Sequence, residues 1–135
     1  MNWKSFAIAV AGVSVLNAVT SFLIHAVLLH GDYAQHPALL RTQEESQAYF
    51  PFMLLNFLAF SVAFVWIYAF GVQAKPWLGQ GLRFGLLVWL MTSVTTYLTY
   101  YAVQPWPGAL VAKQIGYELA RTLALGVAAS ALYRK

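Results

Sequence analysis

The sequence predicts an all-α membrane protein, a single integral membrane domain over residues 1–135 built as an antiparallel bundle of four transmembrane helices. Hydrophobic residues make up 61% of the 135-residue chain and charged residues only 9%, whereas soluble domains carry about 25% charged residues. The apolar residues fall into four blocks, each long enough to cross a hydrocarbon core of about 30 Å. Polar or proline-containing stretches separate the blocks, as expected between separate helices.

The first predicted helix covers about residues 3–29 and includes the apolar run "FAIAVAGVSVLNAVTSFLIHAVLL". A positive start, "MNWK", precedes it, but the run is longer than the roughly 7–15 residues of a signal-peptide core, so we expect a retained helix. Gly31 and Asp32 end this helix, because both residue types favour turns. Residues 30–47 then form an outer loop, in which "PALLRTQEES" predicts a short surface helix.

The other three helices are predicted over about residues 48–72, 77–102 and 108–133. Pro51, Pro76 and Pro107 lie in or next to their first turns, where proline is favoured. The connections "QAKP" and "VQPWP" are short, which makes successive helices antiparallel neighbours.

The distribution of positive residues predicts the orientation in the membrane. With four spans, one side of the bilayer receives Lys4, Lys75, Arg83, Arg134 and Lys135. The opposite side has only Arg41, in a loop that also contains acidic residues. The positive-inside rule therefore places both termini in the cytoplasm of a multi-pass inner-membrane protein. On this view the net charge of +4 reflects topology, and we expect no nucleic-acid partner.

The stretch "GYELARTLALG" places two charged residues, Glu118 and Arg121, inside the fourth apolar block. A central arginine costs about 2.5 to 3.5 kcal/mol on insertion, so this helix must be sheltered with its polar groups turned inward. Gln114, Tyr117 and Thr122 share the face of Glu118 and Arg121 at spacings of three and four. The two charged residues can therefore pair with each other.

Polar residues of the other helices are predicted to meet this face. Counted along the helices at about 1.5 Å per residue, Asn17 comes level with Arg121, while His25, Asn56 and Thr96 lie nearer the outer surface with Gln114. The candidate ligand-binding or ion-pathway residues are Glu118, Arg121, His25, Asn17, Asn56, Thr96, Gln114 and Tyr117.

Each of these features also has a purely structural interpretation. The Glu118 and Arg121 pair serves equally well as an internal clamp, and intramembrane asparagine and threonine more often join helices by hydrogen bonds than bind ligands. Gly81 and Gly85 form a GxxxG pattern that predicts close helix packing. The chain has no cysteine, and His25 and His30 do not share a helix face, so we expect neither a metal nor a cofactor.

Several stretches carry a resemblance to a known family. They are "IHAVLLHGDYA", "AYFPFMLLN", "FVWIYAFG", "KPWLGQGLRFGL", "YYAVQPWPGALVAKQI" and "LYRK". Together they resemble an uncharacterised family of small bacterial inner-membrane proteins with four predicted helices. The resemblance implies the location and the architecture and carries over no activity, substrate or catalytic residue.

Two functions are weighed on this basis. We expect a small integral membrane protein that acts as an accessory or structural component, through helix packing or as a complex subunit, with no catalytic activity. The alternative is a small-solute or proton-coupled membrane carrier that uses the Glu118 and Arg121 pair. A third hypothesis, an enzyme with His25 or Glu118 as acid or base, lacks a convincing pair of groups for that work. The expected partners are the lipid bilayer and either further copies of the chain or a larger membrane complex.

Overall fold

The computed structural model describes residues 1–133, and in that range every regular element is a helix. The α-helices are α1 (Trp3–Phe22), α2 (His30–Ala34), α3 (Gln43–Gly71), α4 (Trp77–Trp89), α5 (Thr95–Val103) and α6 (Gly108–Leu132). A π-helical segment at Leu23–Leu28 continues α1, another at Leu90–Val94 joins α4 to α5, and Pro37–Leu39 forms a 3₁₀ turn. The prediction of an all-α chain is confirmed for the described residues.

Three helical segments of the described chain are long and apolar enough to cross a membrane. They are Trp3–Leu28, Gln43–Gly71 and Trp77–Val103. The remaining long helix, α6, has 25 residues but carries Lys113, Glu118 and Arg121. The membrane character that the composition indicates is therefore supported by three segments, and α6 differs from them in its polar face.

The second predicted helix begins earlier than the sequence pattern indicated. The prediction placed its start at residue 48, but α3 begins at Gln43. Thr42 and Glu45 form a capping box, in which the Glu45 N–H donates to Thr42 Oγ1 at 3.2 Å and the Thr42 N–H donates to Glu45 Oε2 at 3.1 Å. This cap satisfies free N–H groups of the first turn and extends the helix outward. Pro51 consequently lies inside α3 instead of in its first turn.

The outer loop is correspondingly shorter and more structured than predicted. The expected surface helix over residues 37–46 is replaced by the 3₁₀ turn at Pro37–Leu39 and by the first turn of α3. The other helical ranges agree closely with their predicted bounds. The cause of the difference is the capping box, which follows a loop too polar to be included in an apolar block.

Helix α6 is at the centre of the packing, because it contacts both α4 and α1, while α1 also packs on α3.

The close approach of α4 and α6 depends on glycine. A Cβ atom at Gly81 or Gly85 would overlap backbone atoms of α6, and one at Gly126 would overlap the carbonyl of Gly81. Such small residues let two membrane helices pack closely. Glu118, Thr122 and Leu125 of α6 are buried, as an amphipathic helix that turns its polar groups inward requires.

Helices α3 and α4 meet through aromatic side chains at one end of the molecule. The ring of Phe84 lies 4.7 Å from that of Phe64 and 5.4 Å from that of Tyr68, measured between centroids. Towards the other end, a cavity opens between α3 and α5 with α1 and α6 behind it. The aromatic contacts therefore close one half of the interface, and the cavity occupies the other.

Candidate functional site

The cavity has a volume of about 530 Å³ and is lined by residues from α1, α3, α5, α6 and both π-helical segments. Its polar lining consists of Asn17, Ser21, His25, Asn56, Thr92, Ser93, Thr96, Glu118 and Arg121. Its apolar and aromatic lining consists of Met53, Phe57, Phe60, Tyr97 and Tyr100. A volume in the range of about 300–1,000 Å³ with a few convergent polar groups is typical of a small-molecule site.

Glu118 is the central charged group of this cavity. Its side chain is only 3% exposed, and each carboxylate oxygen faces a different partner. Oε1 lies 3.2 Å from His25 Nε2, and Oε2 lies 3.0 Å from Arg121 Nε. The contact with Arg121 is an ion pair by distance, but its angles do not make a hydrogen bond. Glu118 is therefore held between two basic side chains, one of which keeps its donors largely free.

Arg121 is next to Glu118 on α6 and reaches the same cavity. Its side chain is 16% exposed, and among the described residues its guanidinium donates no hydrogen bond. An arginine has five N–H donors in a planar fork that suits carboxylate and phosphate groups. The terminal nitrogens of Arg121 are thus available to a ligand in the cavity.

His25 connects Glu118 to a second buried chain of polar groups. Its Nδ1 lies 2.7 Å from the Tyr33 hydroxyl, and Gln114 Nε2 donates to that hydroxyl at 3.1 Å. The His25 and Tyr33 rings are stacked, with an interplanar angle of 18°. Burial raises the pKa of the Tyr33 hydroxyl above its ordinary value, so this group keeps its proton at neutral pH. Tyr33 can therefore act as the hydrogen-bond donor to His25.

The two π-helical segments lie beside the cavity. His25 belongs to Leu23–Leu28, and Ser93 belongs to Leu90–Val94. In the first segment the Leu29 N–H bonds to the Ile24 carbonyl, five residues back, at 2.9 Å. A π-turn holds one residue more than an α-turn, which changes the face that the following side chains present, and such turns occur frequently at functional sites.

The chain can now be compared with known families. The family model described as a protein of unknown function (DUF1761) matches residues 8–130. The chain therefore belongs to the DUF1761 family. The predicted resemblance to an uncharacterised family is confirmed in this respect. Neither the curated proteins nor the solved structures give a match.

Most of the predicted site residues of this DUF1761 protein lie around the cavity. Those that line it are Glu118, Arg121, His25, Asn17, Asn56 and Thr96. Gln114 does not line it, although this buried residue reaches His25 through the Tyr33 hydroxyl. Tyr117 packs instead against an apolar cluster of Ile24, Leu29 and Leu110. Among the described residues no group of three His, Cys, Asp or Glu side chains could hold a metal ion.

Sequence reasoning missed Tyr33. The stretch "HGDY" indicated only the end of a helix, and α2 was not predicted. The sequence signal that comes closest to revealing Tyr33 is its position as an aromatic residue just beyond the apolar block. Aromatic residues are common at that position in any membrane helix, because they favour the membrane interface, so the signal does not indicate a site. Only the fold brings Tyr33 onto His25, because α2 turns back over the end of α6.

An apolar and charged cover separates the cavity from the α2 end of the DUF1761 fold. Tyr33 and Trp106 pack on the cluster of Ile24, Leu29 and Leu110, and Lys113 Nζ of α6 lies 2.7 Å from Asp32 Oδ1 of α2. On the side between α3 and α5, by contrast, the lining residues Asn56 and Thr96 are exposed. The cavity is thus covered at its end and open at its side.

Among the described residues of the cavity wall, Asn17 has a buried polar atom that makes neither a hydrogen bond nor an ion pair. Asn17 is 1% exposed, and its Oδ1 accepts no hydrogen bond from any residue that the structure describes. An unsatisfied buried polar group costs about 1–3 kcal/mol. A ligand or a water molecule in the cavity would remove this cost.

Proposed function

We propose that the protein spans a bacterial inner membrane with four antiparallel helices and both termini in the cytoplasm. Three membrane-capable segments support this. The 25 residues of α6 extend about 37 Å at about 1.5 Å per residue, which is enough to cross. Its polar face is sheltered, because α1 and α4 pack against it. The positive residues Lys4 and Lys75 support the proposed orientation; Arg134 and Lys135 belong to the same prediction but lie outside the described residues.

In this membrane the proposed activity is that of a small-solute carrier coupled to protons, without catalysis. The single observation that carries it is the cavity of about 530 Å³ with the Glu118 carboxylate in its wall between His25 and Arg121. Ionisable side chains within a membrane face internal cavities and mark substrate or proton pathways. His25 and Glu118 both change charge by taking up one proton, so a solute bound beside them is coupled to their protonation.

A packing role accounts less well for this arrangement. The GxxxG glycines, Gly81 and Gly85, are used within the chain against α6, so this pattern does not supply an interface for another subunit. A clamp alone would also need no cavity. The ion pair and the cavity together favour a binding site that changes its charge.

The test uses proteoliposomes that contain the pH indicator pyranine. Inward gradients of benzenesulfonate, benzenesulfonamide or benzyltrimethylammonium are applied, because none of these three probes carries a proton across by itself. At least one should drive proton movement above that of protein-free vesicles, entry with an anion or exit in exchange for a cation, and Glu118→Gln should abolish it. Arg83→Gln, in a second cavity between α3 and α4, is the matched control and should retain it. Proton movement that is unchanged in Glu118→Gln would reject the proposal.

The second candidate is the accessory or structural component that the sequence favoured, as a homo-oligomer or a subunit of a larger complex. The observation in its favour is the short separation of 3.0 Å between Glu118 and Arg121 on one helix, which lets the two charges satisfy each other. The side opening between α3 and α5 would then be covered by a partner. The stability of paired variants separates the two candidates.

A further inference from the structure

We infer that the solute is a small organic anion with an apolar body, and that the proton accompanying it is held by His25. This rests on the proposed carrier function and adds to it the charge of the solute and the place of the proton.

The first support is the charge balance of the cavity wall. Among the described lining residues, Glu118 is the only carboxylate and Arg121 the only permanent cation, so the two cancel. His25 is the remaining group that can gain a charge. With His25 protonated the wall carries one net positive charge, and a bound monoanion restores neutrality. Burying an uncompensated charge is costly, so the anion and the proton favour each other.

The other elements that face His25 do not alter this count. Tyr33 of α2 contributes a hydroxyl, and Tyr97 and Tyr100 of α5 are neutral. Helix α3 contributes no ionisable residue to the lining. At the α2 end, Asp32 and Lys113 form an ion pair at 2.7 Å that neutralises itself.

The second support is the set of polar groups left free. Glu118 Oε1 lies 3.2 Å from His25 Nε2 and Oε2 lies 3.0 Å from Arg121 Nε without a hydrogen bond, so a cation would have to compete with two basic side chains for this carboxylate. The guanidinium of Arg121 donates no hydrogen bond within the described chain, and Asn17 in the same wall has an unpartnered buried Oδ1. Free donors on a positive group suit an anion. Asn17 Oδ1 is an acceptor, so it pairs with a water molecule or with an N–H or O–H group and not with the anionic head.

The third support is a hydrogen-bond relay that fits both protonation states of His25. With His25 neutral, Gln114 Nε2 donates to the Tyr33 oxygen, Tyr33 O–H donates to His25 Nδ1, and His25 Nε2–H donates to Glu118. A protonated His25 donates from both nitrogens, so Tyr33 must direct its hydrogen elsewhere. Gln114 Oε1 is buried without a partner among the described residues. A half-turn of the amide lets this oxygen accept from Tyr33.

The relay also gives the proton a route. Tyr33 lies at the α2 end of the molecule and is only half-buried, whereas Glu118 lies deep in the wall. A proton that enters by way of Tyr33 reaches His25 without passing through the solute. Because Nε2–H faces Glu118 in both states, the carboxylate keeps its partner throughout.

The body of the solute is indicated by the remaining wall. Phe57, Phe60 and Met53 of α3 face Tyr97 of α5 across the cavity. An apolar or aromatic group fits between them, while a sugar or another highly hydroxylated body would lose hydrogen bonds there. The site therefore suits an anionic head next to Arg121 and an apolar body towards α3.

The experiment measures binding to the purified full chain in detergent by titration calorimetry. Benzenesulfonate, benzenesulfonamide and benzyltrimethylammonium share a ring and differ mainly in charge. Benzenesulfonate should bind about tenfold or more tightly than the other two. Titrations in buffers of different ionisation enthalpy should give an uptake of about one proton per anion, and the affinity should fall as the pH rises, because the anion binds together with a proton.

Variants assign the proton. His25→Gln retains an amide donor for Glu118, and it should bind benzenesulfonate with no proton uptake and no pH dependence. Arg121→Gln should lose most of the affinity, whereas Arg83→Gln in the separate cavity between α3 and α4 should keep it. Tyr33→Phe removes the relay and should slow proton uptake in stopped-flow measurements while leaving the binding of benzenesulfonate at low pH intact.

The outcomes separate this inference from the proposed function. Tighter binding of the cation or of the neutral probe overturns the inference, as does proton uptake that survives in His25→Gln. Proton exit driven by an inward gradient of benzyltrimethylammonium, with none driven by benzenesulfonate, would leave the carrier standing and reject the anion. Anion binding with proton uptake but no flux in vesicles would uphold the site and reject the carrier.

Discussion

Glu118 determines what the cavity can do, because it is the buried group that links two basic side chains. Oε1 faces His25 and Oε2 faces Arg121. Removing Arg121 leaves a buried carboxylate beside a histidine, and removing the carboxylate leaves a buried guanidinium without its counter-charge. The residue therefore contributes to folding as well as to any charge change in the site.

The balance between these two contributions can be measured with paired variants. Glu118→Gln and Arg121→Met should each lower the free energy of unfolding, by up to about 3–5 kcal/mol. Glu118→Gln leaves the partly buried guanidinium without a counter-charge, and Arg121→Met leaves the buried carboxylate with His25 alone. The double variant should lose less than either single one, since it removes both charges. Chemical or thermal unfolding in detergent gives these values.

The function of the double variant then distinguishes the candidates. A folded double variant that has lost proton flux in vesicles supports the carrier. A folded double variant that keeps proton flux, or that keeps its assembly with a partner, would show that the Glu118 and Arg121 pair is a structural clamp only. Equal loss of stability in all three variants would contradict the pairing itself.

At the residue scale, the sequence predicted the members of α6 well and their partners incompletely. Spacings of three and four were sufficient to place Glu118 and Arg121 on one face. Counting depth along the first helix brought Asn17 level with Arg121 but placed His25 nearer the outer surface, level with Gln114. Tyr33 could not be found in this way, because its contact with His25 depends on how α2 folds back. Nor does spacing reveal that Gln114 bonds to Tyr33 and does not face the cavity.

At the scale of helices, the close contact of α4 with α6 fixes how α6 is rotated and therefore which face of it meets the cavity. A Cβ atom at Gly81 would overlap the carbonyl oxygen of Gly126 and the Ser130 hydroxyl, whereas a Cβ at Gly79 on the same helix would contact nothing within 4 Å. Gly81 is thus packed against α6, whereas Gly79 on the same helix has room for a methyl group, so the two positions form a matched pair.

Substituting alanine at these two positions tests the contact. Gly81→Ala should lower the free energy of unfolding by about 1–3 kcal/mol, because the extra methyl group overpacks against backbone that cannot move easily. Gly79→Ala should be neutral or stabilising by up to about 1 kcal/mol, because alanine favours the helix. Unfolding curves of both variants, measured in one detergent, provide the comparison. An equal effect at the two positions would contradict the packing described here.

Helix bounds were predictable where apolar blocks end in turn residues. They failed at α3, where the polar stretch from Gln43 to Ser46 belongs to the helix because Thr42 caps it. The π-helical segments were also unpredictable, since a local change in backbone hydrogen bonding leaves no apolar or turn signal in the sequence. These segments carry His25 and Ser93 to the cavity, so this limit affects the site directly.

At the scale of the molecule, the proposed topology predicts which positions can be labelled from each side of the membrane. Because the chain has no native cysteine, single introduced cysteines can test this. Ser46→Cys, at the outer end of α3, should react with an impermeant maleimide added outside intact cells. Ala74→Cys, between α3 and α4, and a cysteine appended after Lys135 should react only in inverted membranes. Reaction of the appended cysteine from outside would mean that α6 does not cross.

Composition and block length were sufficient to predict an all-helical chain with membrane-capable helices, three of which are found among the described residues. Polar residues at matching depth were sufficient to place a polar region in one half of it. The opening between α3 and α5 was not predictable. It arises because Phe64, Tyr68 and Phe84 hold α3 and α4 together at one end only, and such pairing depends on helix rotations that sequence periodicity leaves free.

The length of α3 gives the cavity a further property. Its 29 residues extend about 43 Å, well beyond a hydrocarbon core of about 30 Å. A helix longer than the bilayer is thick adjusts by tilting, and the tilt increases as the acyl chains shorten. Because α3 is joined to α4 at one end and forms one edge of the opening at the other, we expect that in the proposed topology a change in bilayer thickness changes the width of that opening.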